Sequence, residues 1–331
     1  MRHKINYSFI IPVNEINPYV RESVPKILEI EREDYEIIIY VDKGFESKEK
    51  WPKTRQIESP QGPAAKRSMA MNDAHGKILV FIDDDAYPEK DILDILDGDF
   101  SDATIAAVGG PAVTPKDDSF FQKVSGAVFL SHFSGGFPER YAPVGEKHFV
   151  SDWPSVNLSV RKDIFKTIGG FDCDYWPGED TKFCLDIVSK FKERSKILYD
   201  PRVIVFHHRR AGILRHLDQI AGYGVHRGFF AKRFPETSFS FRYFVPSAFV
   251  LFVFLGGFLS FFFPVVKALY VFGWIAYAAA LVIVFSDIMK RQKEMPVALY
   301  ALVYVFLTHI AYGIMFLKGF LFTKELKSKF R

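Results

Sequence analysis

The chain has 331 residues, which is enough for a large soluble core and a second structural unit. Its formal net charge of +4 is small for this length, so bulk charge does not indicate a nucleic-acid partner. Cys173 and Cys184 lack the spacing of a zinc site and are predicted to be reduced thiols. No signal-peptide apolar segment follows Met1, which predicts a cytoplasmic N-terminal domain.

The first third of the chain alternates between apolar strands and helices. Short apolar segments rich in β-branched residues predict buried strands over residues 7–13, 35–41 and 77–82. Helical spacing over 19–31, and a helix that begins at Gly62-Pro63, separate these strands. This order is typical of a doubly wound sheet, in which ligands bind beyond the carboxyl ends of the strands.

The pattern becomes irregular after Gly110. Residues 150–160 are predicted to form a loop and a strand, and residues 181–192 a helix. A late strand pair is predicted over 196–205, just before His207 and His208.

The last third contains three long apolar segments, at 244–266, 268–288 and 296–322, each near the length of a membrane-spanning helix. Lys290, Arg291 and Lys293 between the second and third segments predict a cytoplasmic loop. Three complete crossings would place the basic residues 324–331 on the other side, against the same rule. The third segment therefore either turns back near Gly313 or Gly319, or departs from the rule.

Residues 207–233 are basic and carry apolar side chains at helical spacing. Arg209, Arg210 and Arg215 are among six cations here, against the single acid Asp218. Such a segment is expected to lie on anionic lipid headgroups. The alternative is a solvated helix that packs against its own domain.

Acidic residues follow two of the predicted strands and precede a later helix. Asp83 and Asp85 flank one residue at a strand end, where they could hold Mg²⁺ or Mn²⁺ against a diphosphate. Asp42 ends another strand and could accept hydrogen bonds from a nucleobase or ribose. Glu179 and Asp180 open a helix and could take a proton from an attacking hydroxyl.

Taken in order, these segments closely resemble the family 2 glycosyltransferases with a GT-A fold. The matching pieces are residues 8–15, Asp42, residues 62–67, residues 81–85, Asn157 with Arg161, residues 169–172 and residues 178–180. Residues 309–313 with Lys318-Gly319 also resemble the membrane-anchored, succinoglycan-type enzymes of exopolysaccharide synthesis. Processive members carry Gln-x-x-Arg-Trp, whereas Gln219 here is followed by Ile220-Ala221-Gly222-Tyr223. This departure favours transfer of a single sugar.

The resemblance and the residue chemistry together assign the site. The expected catalytic residues are Asp180, as base, and Glu179. The expected nucleotide-binding residues are Pro12, Glu15, Asp42, Lys66, Arg67, Asp83 and Asp84. The expected metal ligands are Asp83 and Asp85 with His207 or His208, for which a structural or interfacial role is the alternative. The expected acceptor or membrane contacts are Trp153, Asn157, Trp176, Arg209, Arg210 and Arg215.

The sequence thus predicts an α/β GT-A domain, doubly wound with a mixed sheet, over 1–206. An interfacial segment over 207–242, about three transmembrane helices over 243–323 and a basic tail over 324–331 follow. The expected reaction is inverting, Mg²⁺- or Mn²⁺-dependent transfer from a UDP- or GDP-sugar to a polyprenyl-linked acceptor. The expected location is the cell membrane, multi-pass, with the catalytic domain in the cytoplasm. The alternatives are an enzyme like dolichyl-phosphate-mannose synthase, which glycosylates a polyprenyl phosphate, and a non-catalytic membrane scaffold.

Overall fold

The computed structural model describes residues 4–42, 49–175, 178–191 and 196–326. These residues form two compact units. The first contains residues up to 113 together with 142–208, and the second contains 114–141 together with 209–326. Residues 114–141 lie within the predicted catalytic segment 1–206, yet they pack with the C-terminal helices.

The first unit is built on an eight-stranded mixed sheet with the order β3-β2-β1-β4-β9-β6-β10-β8. A second sheet has the order β5-β11-β7. The strands are β1 Tyr7–Pro12, β2 Tyr35–Val41, β3 Thr54–Glu58, β4 Ile78–Phe81, β5 Ala86–Pro88, β6 Ile105–Gly109, β7 Ala112–Val113, β8 His148–Val150, β9 Leu158–Arg161, β10 Lys196–Tyr199 and β11 Val205–His207. Strands β3, β2, β1 and β4 are parallel, and β9 runs antiparallel to both β4 and β6. The predicted α/β class with a mixed sheet is confirmed.

Helices cover both faces of the main sheet, which explains the apolar strands. Phe9 and Ile11 belong to one buried cluster, while Ile10 between them belongs to another. Successive side chains of a strand point to opposite faces, so a strand buried on both faces contains a continuous apolar run. The helices of this unit are α1 Pro18–Leu28, α2 Pro63–Asp73, α3 Ile92–Asp99, α5 Lys162–Ile168 and α6 Glu179–Lys190.

Strands β10 and β11 correct the prediction of a late strand pair over 196–205. Strand β10 pairs with β6 and β8 in the main sheet, whereas β11 pairs with β5 and β7 in the small sheet. The chain leaves one sheet and enters the other through Asp200, whose backbone N–H donates to the carbonyl oxygen of Gly109 at 3.0 Å.

The second unit is helical. Its helices are α4 Phe120–Ala127, α7 Ile213–Arg233, α8 Pro235–Ser238, α9 Phe241–Ser260, α10 Pro264–Gln292 and α11 Met295–Phe322. By length and composition, α9, α10 and α11 can each cross a membrane. Helix α11 is continuous, so the suggested turn near Gly313 or Gly319 is wrong. Both glycines instead bring the α11 backbone close to other helices: a Cβ on Gly313 would meet the Pro246 carbonyl oxygen at 2.3 Å.

Candidate active site

Two carboxylates and an imidazole converge where β4 and β11 end. Asp83, Asp85 and His207 each offer one ligand atom, and these atoms lie within 4.8 Å of one another. The Nε2 atom of His207 lies 3.1 Å from Oδ1 of Asp85. Pairing of β11 with β5 sets His207 opposite Ala86, next to Asp85 in sequence. We call Asp83, Asp85 and His207 the acidic cluster.

His208 does not belong to the acidic cluster. Its Nε2 atom lies 3.1 Å from Oε2 of Glu22, and its ring packs beside Tyr19 at a centroid distance of 5.0 Å. Adjacent side chains at a strand end point to opposite sides, which separates the two histidines. Of the two predicted alternatives, the geometry therefore brings His207, and not His208, to the aspartates.

Arg67 joins the acidic cluster to the start of α6. Its Nη2 group donates to Oδ1 of Asp83, and its Nη1 group donates to Oε1 of Glu179 at 2.9 Å. Burial disfavours the charge of this guanidinium, but Asp83, Glu179 and Asp180 together raise the pKa of Arg67 above its ordinary value. Arg67 therefore stays protonated and is fixed by carboxylates of the protein.

Glu179 and Asp180 share the first turn of α6 but differ in environment. Glu179 is only 4% exposed, and burial raises its pKa to about 7, with the charge of Asp180 adding to the shift and Arg67 opposing it. Asp180 is partly exposed; its carboxylate accepts from the N–H of Thr181 at 2.7 Å and from that of Ser155 at 3.3 Å. The positive end of the helix dipole also stabilises carboxylates here.

Asp84 is held by the start of α1. Asn17, the N-cap of this helix, donates from Nδ2 to Oδ2 of Asp84 at 2.5 Å and accepts from the N–H of Val20. Burial and the neighbouring carboxylates of Asp85 and Asp83 raise the pKa of Asp84 to about 6, against the hydrogen bond from Asn17.

The predicted nucleotide residues lie at the ends of β1 and β2 and on α2. Pro12 is the last residue of β1, and Glu15 is exposed just beyond it. Lys66 is 1% exposed and donates to the Val13 carbonyl and to Oδ1 of Asp42, both at 2.6 Å. The Asp42 side chain keeps 44% of its surface exposed. Lys66 thus orients a carboxylate that remains accessible.

The sequence profile of the family described as "Glycosyl transferase family 2" matches residues 8–169. The chain carries a glycosyl transferase family 2 domain. Pre-mycofactocin glycosyltransferases from two strains of Mycobacterium tuberculosis are 27% identical over 178 residues, which are 54% of this chain and 37% of theirs. The chain thus spans little more than a third of the length of these relatives.

The fold of the chain also resembles that of a solved structure, mannosyltransferase PcManGT from Pyrobaculum calidifontis in complex with GDP-Man and Mn²⁺. The match has a TM-score of 0.54 at 18% identity and covers 98% of this chain and 89% of the other. At this identity the likeness establishes the GT-A fold.

Two predicted acceptor contacts are interior residues of the family 2 domain. Trp153 is 1% exposed; its Nε1 donates to the Gly110 carbonyl at 3.0 Å, and its ring packs on Tyr199. Asn157 is also 1% exposed and donates to the carbonyls of Pro111 and Val203. Both residues donate hydrogen bonds to the loops beside β7 and β11. Their burial indicates a structural role and contradicts the predicted contact with the acceptor.

The other predicted acceptor residues differ in exposure. Arg210 and Arg215 are exposed. Arg209 is partly buried, donates to the Thr114 hydroxyl at 3.2 Å and lies over the Tyr141 ring at 5.0 Å. Trp176 lies outside the described residues.

Sequence reasoning missed the residues that hold the site in place. Asn17, Glu22 and Ser155 each contact a predicted site residue. Only Asn17 carried a signal, because Asn followed by Pro marks a helix start.

Proposed function

We propose that this chain is a metal-dependent, inverting glycosyltransferase that moves one sugar from a nucleotide-diphosphate sugar to a lipid-linked acceptor at a membrane surface. The observation that carries the proposal is the acidic cluster, which Arg67 links to the carboxylates at the start of α6. Arg67 thus connects a potential diphosphate site to Glu179, the neighbour of the potential base Asp180.

The donor set of the acidic cluster suits a divalent ion. Two carboxylates and one imidazole favour Mn²⁺, and Mg²⁺ accepts the carboxylates. Asp83, Asp85 and His207 would hold the ion, which when bound would neutralise charge on the departing diphosphate. The relative from Pyrobaculum calidifontis was solved with GDP-Man and Mn²⁺, which supports testing GDP-mannose first.

Asp180 is the better candidate for the base. It is more exposed than Glu179, and two backbone N–H groups orient its carboxylate. Glu179 is engaged by Arg67 and accepts from the N–H of Gly178 at 3.0 Å, which favours a positioning role. Attack by the acceptor hydroxyl opposite the diphosphate would invert the anomeric centre.

The apolar helices α9, α10 and α11 support a lipid-linked acceptor of the polyprenyl type. Sugar nucleotides reach a membrane enzyme from the cytosol, so the catalytic domain would be cytoplasmic and the chain multi-pass. Arg209, Arg210 and Arg215 remain predicted contacts with lipid headgroups.

A thermal-shift experiment tests the donor site, because a ligand that binds the native state raises its melting temperature. The full chain should be stabilised by GDP-mannose or UDP-glucose more strongly with Mn²⁺ than without it. Asp85→Ala should lose this metal effect, whereas Asp91→Ala, at an exposed aspartate outside the acidic cluster, should keep it. An unchanged metal effect in Asp85→Ala would refute the metal assignment.

Asp180→Asn tests the base and the acceptor class together. The amide keeps the shape but accepts no proton, so turnover on a hydroxyl acceptor should fall by about 10²–10⁴-fold while donor affinity is retained. A polyprenyl phosphate is already anionic and needs little help from a base. If the unmodified chain glycosylates a polyprenyl phosphate and not the hydroxyl acceptor, and Asp180→Asn retains that activity, the alternative reaction is the correct one.

A further inference from the structure

Three guanidinium groups of the second unit surround one pair of aromatic rings. The rings of Phe137 and Tyr243 lie 5.5 Å apart. The guanidinium carbons of Arg140 and Arg242 lie 4.9 and 5.6 Å from the Phe137 ring centroid, and that of Arg227 lies 4.7 Å from the Tyr243 centroid. We call these five residues the arginine–aromatic cluster.

The stacked arrangement suits the binding of a phosphate. An arginine that stacks uses the face of its guanidinium and keeps its N–H groups in the plane, where they match phosphate oxygens. Arg227 also donates from Nη1 to the Ser238 hydroxyl at 3.2 Å, which further restricts the position of its guanidinium. The rings hold the three long side chains in place and so reduce the entropy that would be lost when a ligand binds.

The arginine–aromatic cluster lies at the start of the first apolar helix. Arg242 and Tyr243 are the second and third residues of α9, and Arg242 is exposed. Phe239 and Phe241 beside them expose 60% and 83% of their surfaces, and the remainder of α9 is apolar. Aromatic and cationic side chains at such a boundary occupy the level of lipid headgroups.

We propose that the arginine–aromatic cluster binds the phosphate group of a lipid that carries two or more negative charges, as a polyprenyl phosphate or diphosphate does. This rests on the proposed function, which supplies the lipid-linked acceptor. Three cations complement a phosphate group that carries two or more negative charges better than they complement a phospholipid phosphodiester, which carries one. In this proposal Arg140, which lies within residues 114–141, contacts the lipid phosphate and takes no part in the site beside the main sheet.

Binding of farnesyl diphosphate to the detergent-solubilised full chain, measured without any sugar nucleotide, tests the proposal. Removing two cations by Arg227→Gln with Arg242→Gln should weaken binding by about 30-fold, and Arg242→Gln alone by about fivefold. Arg233→Gln is the matched control, because Arg233 also lies on the same basic helix as Arg227 and over a ring, that of Phe234 at 5.6 Å. This control should bind as the unmodified chain does.

Three outcomes would overturn the proposal: equal affinity in the double variant, equally tight binding of phosphatidylglycerol, or equally tight binding of inorganic pyrophosphate. Melting temperatures without ligand check that the variants fold. If the double variant does not fold, the affinity of the single variant Arg242→Gln, at an exposed position, tests the proposal. Failure of the donor thermal shift would count against the proposed function and leave this lipid measurement unaffected.

Discussion

At the scale of single residues, Arg67 is the group on which the proposed site depends most. It is 5% exposed and interacts with carboxylates from the end of β4 and the start of α6. A buried charge is tolerated only when it is paired, since desolvation costs several kcal/mol for each ion. The ion pair between Arg67 and Glu179 therefore offsets part of the desolvation cost of burying these two side chains.

Arg67→Met should destabilise the chain by about 1–3 kcal/mol, because the hydrogen bonds of the guanidinium are lost. Glu179, whose pKa is about 7 even beside Arg67, must then be protonated to stay buried. Glu179→Gln in the same chain should recover part of this loss, since the neutral amide no longer needs a cation. The measurement is the unfolding midpoint of both single variants and the double variant, analysed as a double-mutant cycle. Strictly additive losses would show that the two side chains are not coupled.

At the scale of secondary-structure elements, the Glu36 side chain connects β2 to its two neighbouring strands in the main sheet, β1 and β3. This residue of β2 accepts from the Ser8 hydroxyl of β1 at 2.8 Å, from the His75 N–H at 2.6 Å and from Arg55 of β3 at 2.8 Å. Burial alone would raise the pKa of Glu36, but the hydrogen bonds from His75, Ser8 and Arg55 outweigh it and hold that pKa below its usual value of 4.5. The ionised form is thus favoured by the folded state.

Because the folded state lowers the pKa of Glu36, the contribution of this residue to the stability of the fold should depend on pH. A carboxyl whose pKa is lower in the folded state stabilises the fold above its unfolded pKa and loses that effect as the pH falls. Glu36→Gln should therefore lower the melting temperature at pH 7, and the gap from the unmodified chain should narrow as the pH falls below about 4.5. A gap that stays constant down to pH 3 would contradict the ionic role.

The contact between α7 and α11 depends on small residues. A Cβ on Gly228 of α7 would lie 2.2 Å from the Phe316 carbonyl oxygen of α11, whereas a Cβ on Gly222 meets nothing within 4 Å. Close approach of two helix backbones requires glycine at the contact, but glycine elsewhere in a helix only weakens it.

These two glycines provide a matched pair of variants. Gly228→Ala should destabilise the chain by about 1–3 kcal/mol through overpacking. Gly222→Ala should stabilise it by about 0.5–1 kcal/mol through helix propensity. Melting temperatures of the two variants in one detergent should therefore move in opposite directions. If both melting temperatures moved in the same direction, close packing of α7 against α11 would not explain the effect of Gly228→Ala.

At the scale of the whole molecule, apolar surface distinguishes the second unit from the first. Side chains along α9 and α10 remain widely exposed, among them Phe254 at 60%, Leu269 at 64% and Ile275 at 62%. Soluble monomers rarely expose contiguous patches of this kind, which indicate contact with lipid or a partner.

The full chain should consequently stay in the membrane pellet after alkaline carbonate extraction and require detergent for release. Insertion of spanning helices is effectively irreversible, whereas interfacial helices held by charge are released. The measurement is the partition of the chain between pellet and supernatant, with a peripheral protein as control. Release into the supernatant would contradict spanning helices.

The local sequence was sufficient to predict several of the elements and to select the candidate site residues. Continuous apolar runs identified β1, β2 and β4 because a strand buried on both faces needs them, and the aspartates that follow β4 were identified as candidate metal ligands. The apolar length of α9, α10 and α11 was equally evident, since it depends on composition alone.

The tertiary structure decided which side chains meet. Pairing of β11 with β5 selected His207 over His208, and burial placed Trp153 and Asn157 in the interior, although their sequence context resembled a substrate site. Residues 114–141 carried no clear periodicity, yet they belong with the apolar helices and bring Phe137 to Arg242 and Tyr243 of α9. Elements depend on neighbours along the chain, whereas these contacts depend on strand order and on packing between residues that are distant in the sequence, already 43 positions apart for Trp153 and Gly110.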